Sequence, residues 1–160
     1  MLYADSSALV KRYLEERGSK ELNAKLEKTI RALHPVLTSV LTFAEVHAAL
    51  ARKLDERPPL RATEYHWATT RFDSDWRTYL TRVELTPAVL DLIPDLVRKY
   101  FLKGSDAVHL ATALWVRNFL EIDKLQKSLP EPLIFATSDK RLTNAAEREQ
   151  FEVFDPEDKN

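Results

Sequence analysis

The sequence predicts an α/β fold: a three-layer α/β/α sandwich with a mostly parallel central sheet, formed by residues 1–160 as a single domain. Two observations lead to this class. Short apolar segments alternate with longer segments of helical periodicity, and no linker, internal repeat or low-complexity tract divides the chain. The composition, 44% hydrophobic and 31% charged residues, is that of an ordinary globular domain long enough to bury a sizeable core.

The first half of the chain supplies two predicted strands and four predicted helices. Each strand is a short apolar segment, and the first ends at an acid, Asp5. Leucine or isoleucine at 22, 26, 30 and 33 gives the second helix its periodicity, and alanines favour the third. In chain order these elements are a strand at 2–5, helices at 6–16 and 19–33, a strand at 36–38, a helix at 39–54, and a helix from Pro58-Pro59 to about Leu80.

The second half continues the alternation. Pro87 stands where proline is favoured, at the start of a helix. The predicted elements are a strand at 82–85, helices at 87–100 and 105–120, a strand at 133–137, a helix at 139–150 and a final strand at 151–154. In open α/β sheets, ligands bind beyond the carboxyl ends of the strands, near the point where the strand order reverses. We therefore look for chemistry at that edge.

Four acids fall at that edge, at the ends of strands or the starts of helices. They are Asp5, Glu45, Asp106 and Asp139. Carboxylates that crowd together raise one another's pKa, and a hard divalent cation relieves the repulsion. Oxygen ligands in a chain without cysteine favour Mg²⁺ or Mn²⁺ over zinc or copper. Such an ion lowers the pKa of bound water and steadies the charge on a phosphodiester, so the four acids are predicted catalytic and metal-binding residues.

Each acid also has a purely structural explanation. Aspartate is favoured at helix N-termini, so Asp5, Asp106 and Asp139 could each cap a helix or interact with its dipole. Glu45 stands at the spacing that would complete a capping box with Thr42. Taken singly, these explanations are at least as good as the catalytic one. Only the joint placement of the four favours a site.

Four stretches of sequence carry these acids in order. They are YADSSALVK at 3–11, TS at 38–39 with FAEV at 43–46, LKGSDAVHLATA at 102–113, and FATSDKRL at 135–142. With these stretches the chain resembles the PIN-domain nucleases, and among them the VapC-like toxins of toxin–antitoxin pairs. The resemblance runs through nearly the whole chain, although residues 55–100 match only in helical character and the loop 118–131 is longer than usual.

The resemblance implies a three-layer α/β/α fold with an acidic pocket for Mg²⁺ or Mn²⁺. Asp5 and Asp106 would be the principal metal ligands, and Glu45 and Asp139 would complete the pocket. Ser7 matches a small hydroxyl position that orients Asp5 or binds metal-bound water, unless it simply packs at a helix start. The implied reaction is hydrolysis of RNA by metal-activated water, in line with the departing 3′-oxygen.

The same resemblance implies two protein partners: a cognate antitoxin, whose tail can reach the metal site with a basic side chain, and a second copy of the chain in a homodimer. No apolar run approaches the ~18 residues that cross a bilayer, and the N-terminus lacks the pattern of a signal peptide. We therefore expect a cytoplasmic protein without membrane contact. The net charge of −1 decides nothing about RNA, because setting four metal-bound acids aside leaves 21 acids against 24 bases.

Several further residues have two interpretations. His109 follows Asp106 by three residues, and we expect a packed or hydrogen-bonded histidine rather than a ligand. Trp67 lies opposite a helix stripe expected in the core, and it is a candidate for dimer or antitoxin contact. The core stripe comprises Tyr65, Phe72, Trp76 and Tyr79. Four cations either grip the RNA backbone or are solvated surface charges: Lys11, Arg12, Lys103 and Lys140.

Two rival functions remain open at this stage. A non-catalytic PIN-like module would bind RNA or protein without cutting, but it has no need of four mutually repelling carboxylates. A phosphatase of the haloacid dehalogenase type would want a second aspartate where Ser7 stands. Nucleotide-binding folds are disfavoured because the chain has no glycine-rich phosphate loop.

Overall fold

The central sheet is the organising element of this protein. The computed structural model describes residues 1–57, 59–124 and 132–158, with the side chains of 121–124 excepted. Five strands lie in the order β3-β2-β1-β4-β5, and every neighbouring pair is parallel. The strands are β1 Leu2–Ala4, β2 Val36–Ser39, β3 Leu80–Val83, β4 Ile134–Ala136 and β5 Glu152–Phe154. The predicted α/β class with a mostly parallel sheet is confirmed.

Helices cover both faces of the sheet. They are α1 Ser6–Leu9, α2 Ser19–Arg31, α3 Leu41–Arg52, α4 Ala62–Thr78, α5 Pro87–Leu90, α6 Ile93–Tyr100, α7 Gly104–Lys124 and α8 Lys140–Arg148, with a 3₁₀ turn at Val10–Arg12. Helices α1 to α4 pack with one apolar cluster and α5 to α8 with the other. None of the described helices has the length and apolarity that a membrane crossing requires.

The core is divided by the sheet because side chains alternate along each strand. In β1, Leu2 and Ala4 join the cluster under α1 to α4, while Tyr3 joins the cluster under α5 to α8. All three residues are buried, as expected for a parallel sheet covered on both sides. This burial explains why β1 reads as a continuous apolar run in the sequence.

The strand order reverses between β1 and β4. The chain runs outward from β1 through β2 to β3, then returns to the other side of β1 to form β4 and β5. The Asp5 N–H donates to the Ala136 carbonyl over 3.1 Å, so the carboxyl ends of β1 and β4 lie side by side. Open α/β sheets bind their ligands at such a switch point.

The predicted first helix was wrong beyond Arg12. The chain turns before α2, where the Ser19 hydroxyl accepts from the Glu16 N–H and donates to the Leu14 carbonyl, both over 2.9 Å. Gly18 makes this turn with a φ of +85°. A Cβ at Gly18 would lie 2.6 Å from the Pro156 carbonyl oxygen, so the close approach of the C-terminal segment also requires glycine.

Other boundaries shifted for local reasons. The predicted helix at 87–100 is two helices, because Pro94 removes an N–H donor near the start of α6. The strand predicted at 82–85 instead spans Leu80–Val83, and its two apolar ends, Leu80 and Val83, are buried. Helix α7 continues to Lys124, so the expected loop at 118–131 was wrong for its first seven residues. Residues 125–131 and Pro58 lie outside the described part of the chain.

Candidate active site

Asp5 is a buried carboxylate held by several donors at the end of β1. Its side chain is only 3% exposed. Oδ1 accepts from the Ala8 N–H over 2.8 Å and Oδ2 from the Thr137 hydroxyl over 2.7 Å, while the Ser7 hydroxyl lies 2.9 Å from both oxygens. Burial raises the pKa of Asp5, although the charge of His109 and these hydrogen bonds oppose the rise. The capping explanation for Asp5 is therefore correct, and the carboxylate is also strongly oriented.

Two hydroxyls connect the loops that leave β1 and β4. Ser7 accepts from the Ser138 N–H over 2.9 Å, and Thr137 accepts from the Asp139 N–H over 3.1 Å. The Ser7 and Thr137 hydroxyls lie 3.3 Å apart. Ser7 thus contacts Asp5, as one of its predicted alternatives requires. The sequence analysis missed Thr137, although its position at a strand end beside Asp139 was the available signal.

Asp139 caps helix α8. Its Oδ1 accepts from the N–H groups of Arg141 and Leu142 over 2.8 and 2.9 Å. The capping explanation is correct here as well. Within the described part of the chain, the second carboxylate oxygen makes no hydrogen bond, so capping leaves it available to a ligand.

Asp106 lies half-buried in the first turn of α7. Burial raises its pKa most, and the negative charge of Asp139 raises it further. Glu45 adds to the repulsion, while the positive charges of Lys103 and His109 oppose it. The structure therefore brings Asp106, Asp139 and Glu45 within electrostatic reach of one another.

Glu45 is half-buried and ends a hydrogen-bonded chain of three side chains. Its Oε2 lies 2.7 Å from Nε2 of His109, and the Tyr3 hydroxyl lies 3.1 Å from Nδ1 of the same ring. His109 is 1% exposed, and the prediction of a hydrogen-bonded histidine is confirmed. Burial alone would raise the pKa of Glu45, but the bond and charge of His109 lower it. Burial raises the pKa of Tyr3, so its phenol keeps its proton.

The capping box expected for Glu45 was wrong. Thr42 lies inside α3, which begins at Leu41 after Val40 without a side-chain cap. The Thr42 hydroxyl instead lies 2.7 Å from the hydroxyl of Thr38 in β2. Glu45 makes no capping-box bond and instead contacts His109 in α7.

The donor chemistry of this pocket fits a hard divalent cation. Its acids offer oxygen atoms, and the positive charge of His109 lowers the pKa of both Asp5 and Asp106. In the arrangement seen, no three acidic or imidazole side chains of the described residues stand close enough to hold an ion together. The acids therefore interact through their charges without forming a ready-made coordination site.

Comparisons with known proteins identify the family. A PIN domain family model matches residues 2–148. The chain belongs to the PIN domain family. Two Mycobacterium tuberculosis proteins, Ribonuclease VapC45 of strain CDC 1551 / Oshkosh and Ribonuclease VapC49 of strain ATCC 25618 / H37Rv, are each 38% identical over 119 residues, covering 72% of this chain and 76% of the relative. The crystal structure of FitAcB from Neisseria gonorrhoeae has the same fold, with a TM-score of 0.58, 16% identity and 98% of both chains covered.

The four candidate cations of this PIN domain differ in their surroundings. Lys11 is buried and pairs with Glu157 over 2.5 Å, and Arg12 pairs through Nε with Asp75 over 2.7 Å. Neither is a solvated surface charge, because both hold parts of the fold together. Lys103 and Lys140 are exposed, and they stay candidates for RNA contact.

The aromatic side chains of α4, together with Tyr79 directly after it, divide into a core-facing set and the exposed Trp67, as predicted. Phe72 is fully buried, and Tyr65, Trp76 and Tyr79 pack against the same cluster, which confirms the predicted core stripe. Trp67 is 52% exposed, and the Arg71 guanidinium lies 5.1 Å from the centroid of its ring system. Trp67 also lines a hollow of about 540 Å³, so its predicted exposure is confirmed.

Proposed function

We propose that this PIN domain is a metal-dependent endoribonuclease that hydrolyses RNA phosphodiester bonds, as the toxin component of a type II toxin–antitoxin system. One observation carries the proposal: the negative charges of Asp139 and Glu45 raise the pKa of Asp106, and Asp5 and Asp139 follow the two strands that flank the switch point of the sheet. The proposed catalytic acids are Asp5, Glu45, Asp106 and Asp139. The relatives VapC45 and VapC49 are named as ribonucleases, which supports RNA as the substrate.

The proposed metal is Mg²⁺ or Mn²⁺, with Asp5 and Asp106 as its principal ligands. Glu45 and Asp139 complete the pocket. When bound, such an ion would neutralise the carboxylates, lower the pKa of a water molecule and offset the charge on the phosphodiester. The absence of cysteine and the oxygen-rich donor set support this choice over zinc or copper.

Neighbouring side chains orient these acids. Ser7 and Thr137 hold the Asp5 carboxylate in one direction, so little reorganisation is needed when a ligand binds. The neutral phenol of Tyr3 can donate to Nδ1 of His109, which leaves the protonated Nε2 to donate to Glu45. Tyr3 and His109 thus act as positioning residues for a carboxylate that stays ionised.

The proposal is tested by cleavage of mixed RNA with Mn²⁺, in the presence and absence of a chelator. We expect wild-type protein to cut only with free metal, and Asp5→Asn and Asp106→Asn to lose the activity. Asp95→Asn is a matched control, because Asp95 is an exposed acid that pairs with the nearby Arg98. Metal-stimulated cleavage that persists in Asp5→Asn or Asp106→Asn would contradict the proposed ligands.

We further propose a cognate antitoxin, a homodimer and a cytoplasmic location for this protein. A basic side chain of the antitoxin would complement the acidic pocket, and the exposed Trp67 offers an aromatic anchor for one of the two protein contacts. Light scattering of wild type and Trp67→Ala, with and without the antitoxin, tests this contact. Identical assembly masses for both proteins would remove Trp67 from either interface.

A further inference from the structure

Phe101 is an exposed aromatic residue in an unusual backbone conformation. It ends helix α6 with φ 53° and ψ 39°, in the left-handed region, and its side chain is 80% exposed. A bulky residue in this region is strained, and strained residues cluster at functional sites. The ring is too exposed to repay this strain by packing in the core. Leu33 shares this conformation just after α2 and is also exposed, so the surroundings of Phe101, rather than its backbone, decide its role.

The backbone at Phe101 is attached to the helix that follows Asp139. Nη1 of Arg141 donates to the Phe101 carbonyl over 3.0 Å. Arg141 stands two residues after Asp139, and Phe101 stands five residues before Asp106. The Arg141 N–H also donates to Oδ1 of Asp139 over 2.8 Å, so the Phe101 backbone lies within the reach of one arginine side chain from an acid of the candidate pocket.

The surface around Phe101 is basic. A hollow of about 240 Å³ beside the ring is lined by three cations, Lys99, Arg141 and Arg148, and by no acid among the described residues. Lys99 pairs with Glu149 over 2.8 Å, whereas Arg141 and Arg148 have no acidic partner in the described ranges. Lys103 is also exposed, and its charge reaches Asp106. Cations without an acidic partner, next to an exposed aromatic ring, are suited to a nucleic acid, because its phosphates are negatively charged and its bases can stack on the ring.

One hollow beside Trp67 has the opposite charge. It is lined by Glu15, Glu16 and Glu64, with Lys53 as its basic residue. Such a surface repels phosphates, although it exposes an aromatic ring as Phe101 does. A second hollow beside Trp67 is lined by four cations, Lys11, Arg12, Lys20 and Arg71, but Lys11 and Arg12 are already paired with Glu157 and Asp75, and Glu15 shares the lining. The hollow beside Phe101 has no acid in the described part of its lining, which favours the Phe101 side for nucleic acid.

We infer that Phe101 and the cations beside it form a binding subsite for single-stranded RNA, adjacent to the acidic pocket. One base stacks on the Phe101 ring, and Arg141, Arg148 and Lys103 contact neighbouring phosphates. The RNA must be single-stranded, because only an unpaired base can be turned out to expose its face. The inference rests on the proposed function, since it concerns the strand that the acidic pocket would cut.

The test measures RNA binding without cleavage. A short fluorescent single-stranded RNA is titrated with protein in the presence of a chelator, and anisotropy gives Kd. We expect Phe101→Ala to weaken binding about fivefold or more, as for loss of one stacked base. Phe101→Tyr should bind like wild type, because the ring is kept. Phe119→Ala is the matched control, since Phe119 is 59% exposed but lies 15 residues along α7 from Gly104.

Salt dependence tests the cations separately. Replacing Arg148 with alanine should weaken binding and reduce the slope of log Kd against log salt by about one. Phe101→Ala should leave this slope unchanged, because stacking involves no phosphate. An equal change of slope in Arg148→Ala and Phe101→Ala would contradict phosphate contact by Arg148 and base stacking by Phe101.

A folding defect is excluded with Phe101→Gly, which removes the ring and accepts the positive φ. This variant should melt at or above the wild-type temperature and bind RNA as weakly as Phe101→Ala. Unchanged binding in Phe101→Ala, an equal loss in Phe119→Ala, or equal affinity for duplex RNA would overturn the inference. Binding that depends on Phe101 in a protein that cuts no RNA would contradict the proposed function alone. Cleavage with an unchanged KM in Phe101→Ala would contradict the subsite alone.

Discussion

Two clusters of polar side chains in this protein differ in how their charge is balanced. In the first, the Asp75 carboxylate accepts from Arg12 Nε over 2.7 Å and from the hydroxyls of Tyr13 and Tyr79 over 3.2 Å each. In the second, the acidic pocket, no lysine or arginine of the described residues forms an ion pair with any of the four acids. The first cluster is complete within the chain, and the second is not.

The pKa shifts express the same difference. Burial lowers the pKa of Arg12, yet the bond with Asp75 raises it overall, so the pair is stable in its charged form. Burial raises the pKa of Asp5 and Asp106, and at Asp106 repulsion adds to that effect. A charge cluster that opposes folding is retained when it serves a ligand. The comparison therefore separates a cluster that is balanced within the chain from one that we propose to be balanced by a metal ion.

The largest expected effect is on stability, from Arg12→Ala. Removing one partner of a mostly buried pair leaves Asp75 uncompensated, which should lower the free energy of unfolding by about 3 kcal/mol. Thermal denaturation should show a melting temperature about 6–12 °C lower. Arg98→Ala is the control, because its pair with Asp95 is exposed and worth less than about 1 kcal/mol. Loss of RNA cleavage in folded Arg12→Ala protein would show that the first cluster is not purely structural.

The next effect is on cleavage, from Asp106→Asn. The amide cannot replace a charged ligand, and we expect the initial rate of RNA cleavage to fall by at least about 100-fold. Circular dichroism should show an unchanged fold, since Asp106 makes no strong internal hydrogen bond. A rate within a few-fold of wild type would mean that the two clusters do not differ in function.

The sequence could indicate the second cluster but not the first. Asp5, Asp106 and Asp139 each stand next to a strand end or a helix start, and such local patterns are visible in one dimension. The partners Arg12 and Asp75 are 63 residues apart and meet only because α1 and α4 share one face of the sheet. Long-range pairs of this kind have no local pattern.

The same limit explains the individual errors. Thr42 and Glu45 have capping-box spacing, yet Thr42 contacts Thr38 and Glu45 contacts His109, which is 64 residues away. The role of Thr137 depends on β4 lying beside β1, which the strand order decides. The fold class was thus predictable, and the role of the four acids stays a prediction, whereas the side chains that contact these acids could not be foreseen from local sequence.

Metal binding should stabilise the second cluster and leave the first unaffected. At Mn²⁺ concentrations about tenfold above Kd, linkage predicts about 1.4 kcal/mol of stabilisation. The melting temperature of wild type should then rise by about 3–6 °C. Asp106→Asn should shift much less, and Arg12→Ala should shift as wild type does from its lower starting point. Equal shifts in wild type and Asp106→Asn would place the bound ion elsewhere.

The smallest expected effect is on how the stability of the metal-free protein depends on pH. A carboxyl whose folded-state pKa is raised favours folding at low pH, and this contribution is lost as pH rises through the raised pKa. Metal-free Asp106→Asn should therefore be more stable than wild type at neutral pH, and the difference should vanish below the ordinary value of 3.8. We expect less than about 1 kcal/mol, because Asp106 is only half-buried and water screens its charge. Denaturant titrations of both proteins across this range measure the difference. A variant less stable than wild type at neutral pH would mean that Asp106 is balanced within the chain, as Asp75 is, and the contrast between the clusters would fail.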